Sequence, residues 1–80
     1  MSKADDMFEK LGYKFTDIDF DIEFHRYEYT KDTELERGIR HQAIWFDLNT
    51  KELYIHNSIT MQELQAINEK VKELGWLNDT

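Results

Sequence analysis

The segment from Ile59 to Trp76 constrains the fold most, because it specifies a helix with both ends marked. Thr60 and Glu63 have the spacing of a capping box, in which each side chain accepts a hydrogen bond from the backbone N–H of the other residue. Gly75 follows the last apolar residue of the helical repeat, where a left-handed backbone ends a helix, and Trp76 can then fold back onto the last turn. The segment predicts an amphipathic helix of a folded domain and indicates no chemistry.

A shorter helix is predicted at residues 3–11. Its apolar stripe consists of Ala4, Met7, Phe8 and Leu11. The helix runs into Leu11-Gly12-Tyr13, and the longer helix runs into Leu74-Gly75-Trp76. We interpret this similarity as one kind of helix stop used twice rather than as an internal repeat.

Between the two helices the apolar period changes to two, which predicts strands. One strand is expected at residues 18–29, a second at about 39–48 and a third at 52–56. After His25 the apolar residues change from even to odd positions, so either a bulge lies near His25 and Arg26 or the two halves of the first strand pair with different neighbours. The polar residues 30–38 predict a hairpin loop, and short connections favour antiparallel pairing. The predicted fold is therefore α+β, a two-layer helix–strand–strand–strand–helix arrangement. Two helices cover one face of a three-stranded antiparallel meander.

The predicted core contains the inward-facing apolar residues of all five elements. They are Phe8, Leu11, Ile22, Phe24, Ile44, Phe46, Leu53, Ile55, Leu64, Ile67, Val71 and Leu74.

Length and composition exclude several classes of protein. The 80 residues make one domain, 1–80, and the absence of cysteine excludes a disulfide scaffold and a thiolate metal site. No segment has the ~20 consecutive apolar residues of a membrane span, and the N-terminus lacks a signal peptide, so we expect a cytoplasmic protein. The net charge of −7 opposes binding to nucleic acid or to an anionic membrane, and we expect neither as a partner.

A row of acidic residues is the first candidate interaction surface. Asp17, Asp19, Asp21 and Glu23 alternate with apolar residues, so a strand would place them on one face about 6.5–7 Å apart. Such a row can imitate the charge of a nucleic-acid backbone and occupy a basic groove on another protein. The more common explanation of such a row is a solvated strand face, or a set of charges that prevents edge-to-edge aggregation. Both interpretations stay open.

The same residues partly match a calcium-binding loop. Asp17, Asp19 and Asp21 fit its first, third and fifth positions, and Glu28 fits the twelfth. Ile22 stands where the loop needs a glycine for its sharp turn. We therefore expect no metal or other cofactor.

No complete catalytic motif is present. The three histidines, His25, His41 and His56, lack the paired spacing of a zinc motif. Ser58 follows His56 by two residues but lacks the G-x-S-x-G turn that exposes a nucleophilic serine. We expect a protein that is not an enzyme.

Four aromatic residues form the second candidate interaction surface: Tyr27, Tyr29, Trp45 and Tyr54. Such residues more often pack in a core or at its rim. Several of them on the uncovered face of the sheet would instead make an apolar patch suited to a protein partner or to self-association.

The helical segments M7-F-E-K-L-G-Y13 and I59-T-M-Q-E-L-Q-A-I-N-E-K-V-K-E-L-G-W76 cover roughly a third of the chain. They resemble small uncharacterised proteins encoded by phages and prophages of Gram-positive bacteria. The resemblance implies an accessory protein in the cytoplasm of the bacterial host, and it implies no activity. We predict a non-enzymatic module that binds an unknown protein partner or a second copy of itself. The alternative is an acidic inhibitor that competes with nucleic acid for a basic host protein.

Overall fold

The structure, a computed structural model, describes residues 2–77, so the ends of the predicted domain 1–80 lie outside the described residues. The elements in chain order are α1 (Lys3–Lys10), β1 (Lys14–Asp21), β2 (Phe24–Leu35), β3 (Gly38–Asp47), β4 (Glu52–Ile55) and α2 (Met61–Glu73). The strands form one antiparallel sheet in the order β1-β2-β3-β4. The α+β class, the antiparallel meander and the two helices are confirmed, but the sheet has four strands rather than the predicted three.

The additional strand arises because the chain turns at Ile22 and Glu23, within the segment predicted as one strand. Asp21 and Phe24 pair on either side of this turn. Asn49, from the β3–β4 turn, holds the turn in place: its amide nitrogen donates to the carbonyl of Ile22 at 2.7 Å, and its oxygen accepts from the backbone N–H of His25 at 2.9 Å. No glycine or proline marks the turn, and the alternation of acidic and apolar residues continues through it.

The predicted hairpin loop at 30–38 is mostly strand. β2 continues to Leu35 and β3 starts at Gly38, so only Glu36 and Arg37 connect them. Residues 32–38 are exposed, and most of their side chains are polar for that reason. Backbone hydrogen bonds between the two strands do not require apolar side chains, so polarity alone misidentified the segment.

Both helices end as predicted. Gly12 and Gly75 have φ of +94° and +76°, the left-handed region that lets the chain reverse. The N–H of Tyr13 donates to the carbonyl of Phe8, and the N–H of Trp76 donates to the carbonyl of Val71, both at 3.0 Å. These bonds are those of a Schellman motif.

The core lies between the two helices and one face of the sheet. It consists of Phe8, Tyr13, Tyr29, Ile44, Phe46, Ala66 and Ile67. Four predicted core residues are wrong. Ile22 is 91% exposed and Phe24 is 39% exposed. Leu53 and Ile55, on the short edge strand β4, are also exposed. The helices cover the middle of the sheet and leave its edge and the β1–β2 turn in solvent.

Neither helix in the described part of the chain is long and apolar enough to cross a membrane.

Candidate functional site

The sheet has one face under the helices and one open face. Residues paired across antiparallel strands point to the same face, so Tyr29 and its partner Ile44 lie under the helices. The alternate residues, among them Arg26, Trp45 and Tyr54, lie on the other side. No helix in residues 2–77 covers this second side, which we call the open face.

The predicted aromatic surface is divided between the two faces. Tyr29 is 1% exposed, and Tyr27 is half-buried on the same side, with the Lys70 ammonium 5.0 Å from its ring centre. Trp45 and Tyr54 lie on the open face and stack on each other, with ring centres 3.9 Å apart. The structure therefore brings together two of the four predicted residues.

The open face carries a continuous row of stacked side chains, which we call the aromatic strip: Phe20, Phe24, Arg26, Trp45 and Tyr54. The rings of Phe20 and Phe24 are 5.3 Å apart, and the Arg26 guanidinium lies 5.1 Å from the Phe24 ring and 4.1 Å from the Trp45 ring. Stacking of a guanidinium on an aromatic ring is a favourable cation–π contact. Phe24 was predicted in the core, and nothing in the local sequence predicts that Phe20 and Arg26 lie beside it on an exposed face.

Arg26 is held tightly within the aromatic strip. Its guanidinium pairs with the carboxylate of Glu28 at 2.5 Å, while its Nε atom is buried without a hydrogen-bond partner. The two aromatic neighbours therefore surround part of the cation, and Glu28 neutralises its charge.

A concavity of about 260 Å³ lies beside the aromatic strip. Its walls are Trp45, Tyr54, Asp47, Glu52 and the intervening Leu53. This volume is below the roughly 300–1,000 Å³ of most small-molecule sites, so it suits one side chain of a partner better than a whole ligand.

The predicted acidic surface is not one row. Asp17 and Asp19 pair with Tyr27 and His25, residues of the helix-covered side, and the register then shifts before Asp21. The Asp17 carboxylate contacts the ring of His25 at 2.8 Å. The shift and the turn therefore separate the members of the predicted row.

The last two acidic residues of that row belong to the β1–β2 turn. Asp21 pairs with Phe24, a residue of the open face, and its carboxylate accepts the backbone N–H of Glu23 at 2.7 Å. Glu23 itself is in the turn rather than in a strand. The two residues stabilise a turn and do not continue a line of charge from Asp17 and Asp19.

The histidines do not converge in the described residues. His25 contacts Asp17, His41 contacts Asp32 at 2.6 Å, and His56 contacts the Tyr54 hydroxyl at 3.0 Å. The described residues contain no group of three His, Asp or Glu side chains placed to hold a metal ion. The backbone carbonyl of Ser58 accepts hydrogen bonds from Arg40 and Gln42.

A buried carboxylate, Glu63, joins α2 to the sheet. Glu63 and Thr60 form the predicted capping box, with bonds of 2.7 and 3.1 Å. The other carboxylate oxygen accepts from the Tyr13 hydroxyl and lies 3.4 Å from the Lys31 ammonium. Burial by itself would raise the pKa of Glu63, but the bonds from Tyr13 and the Thr60 N–H, together with the Lys31 charge, hold that pKa below its usual value.

A second polar group joins α1 and α2 to the sheet. The Asp5 carboxylate accepts from the Tyr29 hydroxyl at 2.5 Å and lies 3.3 Å from the buried Lys70 ammonium. Burial opposes ionisation of Asp5, but the bonds from Tyr29 and Ser2 and the Lys70 charge outweigh it and lower its pKa. Burial, together with the Asp5 bond, raises the pKa of Tyr29 above its ordinary value.

These lowered pKa values predict loss of stability in acid. Unfolded Asp and Glu titrate near pKa values of about 3.9 and 4.3, above the folded values of Asp5 and Glu63. Their stabilisation is complete above those unfolded values and is lost as the pH falls through the folded ones. We expect the free energy of unfolding, measured by urea titration from about pH 7 to about pH 3, to fall below about pH 5. Glu63→Gln should flatten part of this fall, whereas the exposed Glu9→Gln should not. If the stability of Glu63→Gln and of Glu9→Gln fell equally with pH, Glu63 would not be a source of the loss of stability in acid.

A groove lies between α1 and β1. It has a volume of about 440 Å³, and its lining includes Phe8, Phe15 and Tyr29. Its polar lining includes Asp5 and Tyr29, which bond to each other, and also Glu9 and Lys14. The groove therefore combines apolar surface with a few charged groups at its edge.

The chain was compared with protein-family models, curated proteins and solved structures, and none matches it. The open face provides the structural basis for a functional proposal. It combines uncovered aromatic side chains with a small concavity that is bordered by the carboxylates of Asp47 and Glu52.

Proposed function

We propose that this protein is a non-enzymatic protein-binding module that contacts its partner through the open face. The supporting observation is the aromatic strip, which contains a tryptophan, a tyrosine and an arginine on a sheet face that no described helix covers. These three residue types are enriched among the few side chains that dominate the free energy of protein–protein binding.

The geometry of the aromatic strip supports this proposal further, because its central side chains are already ordered. Trp45 contacts Arg26 and stacks on Tyr54, and Arg26 is fixed by Glu28. Asn49 holds the turn that bears the exposed Ile22. A partner would therefore immobilise few additional side chains, which reduces the entropy cost of binding.

The biological setting of the proposal is an accessory role for a phage or prophage in the cytoplasm of a bacterial host. Its support is the resemblance of the two helical segments. In the structure, their boundary residues Thr60, Gly12 and Gly75 perform helix capping and termination. These residues therefore account for the fold, whereas the open face accounts for the proposed binding.

The alternative proposal is an acidic inhibitor that competes with nucleic acid for a basic host protein. Its support is the net charge of −7. The four carboxylates first considered for this role are divided by the register shift and the turn. An inhibitor would therefore have to present a different group of carboxylates.

Affinity capture with surface variants tests the leading proposal. Tyr54→Ala removes an exposed ring of the aromatic strip, and Met61→Ala removes an exposed apolar side chain from α2, away from the open face. We expect proteins from a Gram-positive host lysate that bind the wild type to bind Tyr54→Ala about thirtyfold more weakly, and Met61→Ala nearly unchanged. Capture of the same proteins by all three would show that the open face is not the contact surface. Circular dichroism of each variant establishes that the fold is retained.

A further inference from the structure

We propose that the open face docks a basic segment of a protein partner, with a lysine or arginine side chain seated between the Trp45–Tyr54 pair and the carboxylates of Asp47 and Glu52. This inference rests on the proposed function and specifies the chemistry of its partner. It is supported by charge complementarity, by the position of the concavity and by the aromatic surface beside it.

Two acidic residues that border the concavity lie opposite each other on neighbouring strands. Asp47 and Glu52 are directly paired across β3 and β4, a position where like charges oppose strand pairing. In residues 2–77 neither forms an ion pair with a lysine or arginine. Arg26 is paired with Asp47 across β2 and β3 and its charge helps to lower the pKa of Asp47, but its ion pair is with Glu28. A cation from a partner would relieve the repulsion between Asp47 and Glu52.

Both carboxylates are held in place by the β3–β4 turn. Asp47 accepts the backbone N–H groups of Asn49 and Thr50 at 2.9 and 3.0 Å, and these bonds lower its pKa. Glu52 accepts the Thr50 hydroxyl at 2.8 Å. One turn therefore orders both charges, and each carboxylate retains acceptor positions for a partner.

The concavity matches the shape of a long basic side chain. Its walls are the aromatic pair on one side and Asp47 and Glu52 on the other. The methylene groups of lysine or arginine pack well on apolar surface while the charged end stays polar. In this position the stem would contact Trp45 and Tyr54, and the charge would lie between the carboxylates.

Charge favours a basic segment over the other occupants of such a face. Nucleic acid would place its phosphates against the carboxylates of Asp47 and Glu52, on a chain whose net charge is −7, so like charges would repel. A second copy of this chain would bring an equal negative charge, and its own Asp47 and Glu52, toward the same surface. A basic segment supplies the opposite charge and uses the aromatic surface as well.

The test uses three short labelled peptides of equal length. In the first, arginine alternates with valine; in the second, the neutral isostere citrulline replaces arginine; in the third, glutamate does. Fluorescence anisotropy measures their binding to wild type, to Asp47→Asn/Glu52→Gln and to Asp17→Asn/Asp19→Asn. The two double variants change the net charge equally, but they act on different sites. Asn and Gln can still accept the turn hydrogen bonds, and circular dichroism establishes that each variant folds.

We expect only the arginine peptide to bind, and we expect the Asp47/Glu52 variant to weaken it about tenfold while the Asp17/Asp19 variant weakens it less than about twofold. Raised salt should weaken binding to the wild type. Equal weakening by both variants would show general charge attraction and overturn the inference, as would no binding of the arginine peptide. Self-association of the wild type in sedimentation that Tyr54→Ala abolishes would assign the face to a second copy instead. If Tyr54→Ala no longer captures the host proteins while the Asp47/Glu52 variant still does, the result would support the proposed function and contradict this inference.

Discussion

Replacing Glu63 with alanine is expected to lower the free energy of unfolding by about 2–4 kcal/mol. The change removes the acceptor of the Thr60 N–H and the acceptor of the Tyr13 hydroxyl. It also leaves the largely buried Lys31 ammonium without its carboxylate partner. A domain of this length is stable by only about 4–12 kcal/mol, so the loss is a large fraction of the total. Urea unfolding followed by tryptophan fluorescence measures it.

The control for Glu63→Ala is Gln65→Ala, an exposed position on the same helix. We expect that change to stay within about 0.5 kcal/mol of the wild type. A double-mutant cycle with Lys31→Met should show coupling, because the two side chains belong to one polar group. Equal stability of Glu63→Ala and Gln65→Ala would mean that the buried carboxylate does not hold α2 to the sheet.

Phe8→Ala is expected to cost about 3–5 kcal/mol, the usual range for deleting a buried phenylalanine. Phe8 is 1% exposed and stacks on Tyr29 at 4.0 Å. Its ring also meets Tyr13 at 5.6 Å and Phe46 at 6.5 Å in edge-to-face contacts. The truncation leaves a cavity where α1 meets the sheet, and the urea midpoint measures the loss.

Phe20→Ala is the matched comparison, because the same ring is removed from a site that is 77% exposed. We expect a loss below about 0.5 kcal/mol there. A cost as large as that of Phe8→Ala would show that the β1–β2 end of the sheet is buried, contrary to the structure. The pair also tests the assignment of Phe20 to a contact surface rather than to the core.

Local signals predicted the helices well. Capping and helix termination involve residues within a few positions of each other, so Thr60 with Glu63, and Gly75 with the preceding turn, can be recognised without knowing the rest of the fold. The apolar stripe of α1 contains Phe8, which is indeed in the core. The α+β class follows because the change of apolar period from helix to strand is also a local property.

The strands were predicted less well, because burial depends on what packs above them. Ile22 and Phe24 continue an apolar alternation, yet the chain turns at Ile22 and both residues are exposed. The turn is fixed by Asn49, distant in sequence, and by the local bond from the Glu23 N–H to the Asp21 carboxylate. Asp21 does not stand out as a turn residue, because it belongs to a run of alternating acidic residues. For the same reason the sequence alone does not show that Tyr29 lies under the helices while Trp45 lies on the open face.

The sequence by itself determined the helix ends, the fold class and the negative charge, since each depends on neighbouring residues or on composition. Only the tertiary structure decided which strand face the helices cover. It thereby divided the predicted acidic row and aromatic set, and it placed Arg26 between Phe24 and Trp45. The physical reason is that a strand presents both faces alternately, and the register and the packing helices select the buried one.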